Sequence, residues 1–253
     1  MNLSTADYLA AIRQEAAAIS AAASLGLTTP ILRYPGWTVL DLITHTGGVH
    51  RWVTALVRDG SQERIPRHSY AHEIAPDHAI GWFETGVREL VATLESVDPE
   101  TPVWSLSDDR TAAFWHRRMA HETALHRWDA QLAHGAPVPI DPDLAVSALD
   151  ESLDIYVTRR LAGQDVSGSG ETVVLRCVDR PAAWRITFHP SAVQVERLAN
   201  AGAATDAALS AGASHLWLFV MGRLPVSALD ATGDQAPSRL LVRGLSLMRD
   251  AVP

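Results

Sequence analysis

The hydrophobic period of this chain changes once, and that change limits what it can fold into. Over the first 160 residues apolar positions recur at helical spacing. Beyond the stretch AGQDVSGSG at 162–170 they fall into short runs rich in valine and isoleucine, with turn residues between them. The expected organisation is therefore a helical bundle over 1–162 and a small C-terminal α+β domain over 171–253, with the glycine- and serine-rich stretch as the boundary. A length of 253 residues accommodates two domains of ordinary size.

Local signals refine this outline. An alanine-rich segment with no proline or glycine predicts a first helix over 5–25. The prolines of TPILRYPGW then forbid helix, and Thr38 with Asp41 forms a capping-box pattern that starts a second helix running to about residue 58. Pro76 suits the first turn of a third helix over 76–96, whose apolar positions Phe83, Val87, Leu90 and Leu94 share a face. A loop containing Pro99 and Pro102 leads to a fourth helix over 111–133, and a fifth is expected over 142–161. In the second domain TVVLRCVD, AWRITFHP and AVQVERL read as antiparallel strands. A helix near 214–223, a short strand near 226–231 and a last helix over 237–248 follow.

Composition removes several functions. With 47% hydrophobic and 20% charged residues the chain can bury a substantial core. A net charge of -8 without lysine or arginine blocks gives no grip on a phosphate backbone, so nucleic acid is not an expected partner. The opening MNLSTADYLAAIRQEAAA lacks the apolar core of a signal peptide, and the apolar run at 216–221 is too short to span a bilayer. A single cysteine, Cys177, excludes an internal disulfide framework and fits a reducing compartment; the cytoplasm is the expected location.

The chemistry concentrates in the second and fourth helices. Residues four apart on a helix lie one above another, so Glu122 and His126 share a face and can offer a carboxylate oxygen and an imidazole nitrogen to one ion. His121 and His126, five apart, are rotated by roughly 140° and cannot easily chelate together, and the same holds for His116 with His121. A third donor must come from another helix, and the second offers His45, which continues a face through Val49, Trp52 and Leu56, whereas Gly48 and His50 turn towards a different side. Asp41 competes for that role, although its capping box accounts for it more simply. Two histidines and one glutamate leave a coordination position open, as in catalytic zinc sites. The competing reading of such histidines is hydrogen-bonded core residues. Asp129 either orients His126 or is a solvated helix residue.

The segments PGWTVLDLITHTGGVHRWV and HRRMAHETALHRWDAQ resemble the paired signatures of the actinobacterial maleylpyruvate isomerase family of mycothiol-dependent enzymes. SHLWLFVMGRLP echoes its C-terminal domain more loosely. The resemblance implies a DinB-like metal-binding four-helix bundle joined to a small α/β domain. It places the metal ligands on His45, Glu122 and His126, the three that helical geometry selects, and a catalytic arginine on Arg223 at the inter-domain cleft. Without the resemblance, Arg223 reads equally well as a cation at a helix C-terminus.

The implied activity is zinc- and mycothiol-dependent isomerisation or S-transfer on a small electrophile. The thiolate would add to an activated double bond, allow rotation and leave again, or displace a leaving group and remain on the product. A non-catalytic metal- or small-molecule-binding module and a zinc-dependent hydrolase stand as alternatives. A monomer is the expected state, with a dimer as its alternative. Cys177, in a strand amid apolar neighbours, is expected to be inert core.

Overall fold

A computed structural model of the chain describes residues 3–70, 73–159, 168–199 and 205–249. It forms two compact units, Met1–Ile140 and Asp141–Pro253.

The first unit consists of four long helices, α1 (Thr5–Ala23), α2 (Val39–Arg58), α3 (Pro76–Ser96) and α4 (Ala112–Ala133). Capping sets two of the starts. Ser4 and Asp7 close a capping box on α1, and Thr38 and Asp41 close one on α2, with the Thr38 backbone N–H donating to Asp41 Oδ2 at 2.8 Å. Asp41 is thereby committed to the cap. α1 packs on α4 and α3, and α2 packs on α3 and α4. Ile12, Ile19, Leu42, Ile43, Phe83 and Phe114 fill the core between them.

α4 is the central helix, and every residue from 119 to 130 is buried even though the stretch includes His121, Glu122, His126, Arg127 and Asp129. Buried ionisable groups need partners. Arg127 bonds Glu15 of α1, an ion pair with both side chains at most 8% exposed. Ahead of α2 the chain makes a tight loop. Ile31 N–H donates to the Trp37 carbonyl at 2.8 Å, Trp37 N–H donates to the Tyr34 carbonyl at 2.9 Å, and Gly36 takes the turn at φ 86°.

The second unit opens with α5 (Pro142–Ser152), which continues as a π-helical stretch over Leu153–Arg159. The sequence suggests that this helix closes the bundle at 162; the structure assigns it to the second unit. There it packs on α6 (Ala213–Val220), with Asp150 accepting from Trp184 Nε1 at 2.7 Å and Ser152 accepting from Trp217 Nε1 at 3.0 Å. Most of the expected boundary at 162–170 lies outside the described residues.

Strands β1 (Thr172–Cys177), β2 (Ala183–Phe188), β3 (Val193–Arg197), β4 (Ala207–Ala211) and β5 (Asp230–Gly233) form one sheet in the order β3-β2-β1-β4-β5. The expectation of an antiparallel sheet needs correction, because β1 and β4 pair in parallel, Val173 against Ala207 through Cys177 against Ala211. The other pairs are antiparallel. Parallel neighbours require a long crossover, here supplied by the chain through β2 and β3. α6 and the last helix, α7 (Gln235–Arg249), pack against β1 and β4. No helix among the described residues is long and apolar enough to cross a membrane.

Candidate metal centre

α2 and α4 bring His45, Glu122 and His126 to one point in the first unit, each offering a ligand atom within 4.8 Å of the others. His126 Nε2 lies 3.2 Å from Glu122 Oε1, and His45 Nε2 lies 3.8 Å from the same oxygen. Ligands at about 2.0 to 2.1 Å around a tetrahedral zinc sit about 3.3 to 3.4 Å apart, so these separations need only small adjustments to close on an ion. The donor set, two imidazoles and a carboxylate, suits zinc. His126 is 4% exposed and His45 is 26% exposed at the side chain, so the open side of the centre lies at His45.

The remaining polar contacts orient these donors. Asp129 Oδ2 lies 3.3 Å from His126 Nδ1, which leaves Nε2 for the centre. The guanidinium of Arg118, one turn before Glu122, holds the second carboxylate oxygen. Arg118, Glu122 and His126 thus form one ladder at intervals of four along α4, with Asp129 one turn beyond.

The charge states follow from this environment. Burial alone would raise the Glu122 carboxyl, but Arg118 and the two imidazoles outweigh it and hold its pKa well below the ordinary 4.5. Burial opposes a proton on His126, yet the Asp129 and Glu122 carboxylates prevail and raise its pKa above 6.5. Burial wins at His45, whose pKa is lowered despite Glu122. A carboxylate this close to two imidazole nitrogens demands positive charge between them, and a proton or a divalent cation answers that demand.

Two aromatic rings from the loop before α2 cover the imidazoles. Trp37 stands 5.1 Å from the His45 ring and Tyr34 stands 6.3 Å from the His126 ring, with Tyr34 and Trp37 themselves 4.8 Å apart. The other histidines of α2 and α4 have different work. His50 Nε2 meets Thr123 Oγ1 at 3.0 Å; because that hydroxyl donates onward to the Met119 carbonyl, it accepts from His50. His116 spans the Ala112 and Leu94 carbonyls at 3.0 Å each, and His121 packs edge-on against Tyr8.

Residues 8–131 match the family described as the mycothiol maleylpyruvate isomerase N-terminal domain. The first unit carries the domain of this family. The matched span ends just past Asp129 and so contains the whole donor set and its orienting residues. No curated protein matches the sequence. Among solved structures, the crystal structure of the mycothiol-dependent maleylpyruvate isomerase is similar, with a TM-score of 0.60 at 17% identity over 91% of this chain and 93% of that one. The structure of a histidine-to-alanine variant of that enzyme gives 0.59 at 18% over the same shares. At such identities the likeness establishes a common fold across both units.

Arg223 lies immediately after α6, where Gly222 turns the chain at φ 72° and the Arg223 guanidinium donates to the Met221 carbonyl at 2.9 Å. This is the helix-terminal arrangement its charge suggests. Cys177 is buried at the end of β1, and burial pushes its thiol up to about 12. Arg118 was not singled out by sequence reasoning, although its spacing of four from Glu122 is the signal that could have found it.

Proposed function

We propose that the protein is a metal- and thiol-dependent enzyme that isomerises a small electrophile or transfers a thiol to it, with mycothiol as the thiol and maleylpyruvate or a relative as the substrate. One observation carries the reading: two imidazoles and a carboxylate converge within residues that match the mycothiol maleylpyruvate isomerase N-terminal domain. His45, Glu122 and His126 would hold the metal, zinc by its donor set. A metal held there would lower the pKa of a bound thiol and so favour thiolate at neutral pH.

The residues of the chain do the rest. Asp129 fixes the His126 ring, and Arg118 keeps Glu122 ionised inside the bundle. Tyr34 and Trp37 pack beside the imidazoles, and the greater exposure of His45 leaves the approach on its side. Arg223 is assigned the role of steadying an anionic substrate, as the family resemblance of its segment implies.

Purified protein should contain close to one equivalent of divalent metal and turn over maleylpyruvate only when mycothiol is added. Metal without thiol-dependent turnover would favour a structural ion. Ester or amide hydrolysis without thiol would favour metal-activated water.

A further inference from the structure

A cationic residue of the first unit stands on a turn laid over α2. The 3-10 turn Arg67–Tyr70 lies along α2, and two contacts press this part of the chain onto the helix. Trp52 Nε1 donates to the Ile65 carbonyl at 3.0 Å. At Gly48 the Tyr70 carbonyl comes so close that an added Cβ would meet it at 2.8 Å. Trp52, seven residues beyond His45, continues the helix face on which His45 stands, and Gly48, three beyond, flanks that face at about 60°, nearer to it than the sequence reading has it. The turn therefore sits over the same stripe of α2, towards the more exposed of the two imidazoles.

Arg67 is exposed, and its guanidinium lies 5.5 Å from the Trp52 ring centroid. It makes no ion pair with a carboxylate among the described residues. A planar guanidinium steadied against an aromatic face, with its donors uncommitted, is suited to a carboxylate ligand. With a divalent ion in place, Glu122 and Asp129 are more than offset by that ion and Arg118, so the surroundings favour an anion as well.

We propose that Arg67 binds a carboxylate of the substrate on the His45 side of the centre and so selects small dicarboxylates over their neutral counterparts. This inference rests on the proposed function for the location of the substrate.

The test measures binding of maleate, a cis-dicarboxylate probe, and of its neutral dimethyl ester to the metal-loaded protein by calorimetry, with metal content measured in parallel. Arg67→Gln should weaken maleate by about 10- to 100-fold, the range for a lost charge-assisted contact. The ester's affinity and the metal content should stay unchanged, and Arg67→Lys should recover part of the loss. Equal maleate affinity in wild type and Arg67→Gln would overturn the proposal, as would a wild type that does not bind maleate or a variant that weakens acid and ester alike. A wild type that binds maleate through Arg67 but shows no thiol-dependent turnover would remove the isomerase reading and leave the anion site standing.

Discussion

Asp129 holds the far nitrogen of His126, Oδ2 to Nδ1 at 3.3 Å, so the near nitrogen is committed to the point it shares with Glu122 and His45. Replacing His126 with alanine should abolish both metal retention and thiol-dependent turnover, since two donors hold zinc poorly against water. Asp129→Asn should be milder, lowering metal affinity by about 10- to 100-fold, as loss of an orienting partner does. Metal titration against a chromogenic chelator would show the grading. A His126→Ala protein that keeps its metal would end the assignment.

Arg118 and Glu122 form a buried pair, each with a side chain 11% exposed. Arg118→Met should leave the carboxylate without its cation and destabilise the metal-free protein by about 3 to 5 kcal/mol, the usual cost of breaking a buried pair. Added zinc should recover part of this by supplying positive charge. Denaturant unfolding with and without chelator would measure both effects. A loss below about 1 kcal/mol, typical of exposed pairs, would show that the pair is solvated.

The pKa shifts at the centre give metal-free and metal-loaded protein opposite pH responses. The His126 pKa is raised above 6.5 in the fold, so its stabilising contribution is complete below 6.5 and is lost as pH climbs through the raised value. Glu122 is depressed well below 4.5; its contribution is complete above 4.5 and is lost only as pH falls through the depressed value. Metal binding needs a neutral His126, so affinity should rise with pH above 6.5 and level off past the raised value. Asp129→Asn should shift that levelling to lower pH. A metal affinity that does not change with pH above 6.5 would contradict the shared proton.

Arg223→Ala should separate binding of metal from turnover. If the guanidinium steadies an anionic substrate, metal content is unchanged while kcat/KM falls by about 10²-fold or more. A variant with full turnover would reduce Arg223 to the helix-terminal contact with Met221.

Cys177, with its thiol pushed up to about 12 and its side chain buried, should resist alkylation in the folded protein and react only on unfolding. A native protein labelled rapidly by iodoacetamide at neutral pH would show that β1 opens. Turnover should persist in Cys177→Ala, because in the proposed function the reacting sulfur is that of the added thiol.

The parts of the fold legible in the sequence are those decided locally. Thr38 with Asp41 and Pro76 mark helix starts because caps and first turns depend on a few adjacent residues. The pairing of Glu122 with His126 follows from helical rotation alone. β4 was missed because AALSA has no β-branched or aromatic residue, and its parallel partner β1 is some thirty residues away in the chain. The end of the first unit was misplaced because α5 has ordinary helical spacing, and only its partners Trp184 and Trp217 show where it belongs. Arg67 is invisible to motif reasoning, because its relation to His45 depends on how a turn lies across α2.

The chief partner of α1 is α4, and the link is sealed by Glu15 with Arg127, 112 residues apart. During synthesis the first helix therefore waits for the last helix of its unit. Until α4 has been made, α1 has only α3 and α2 to pack on and lacks its chief partner, and the histidine of α2 has no companions on α4. Because the core is completed by the same helix that completes the centre, a nascent chain cannot close the bundle before it has made the residues that would bind the ion.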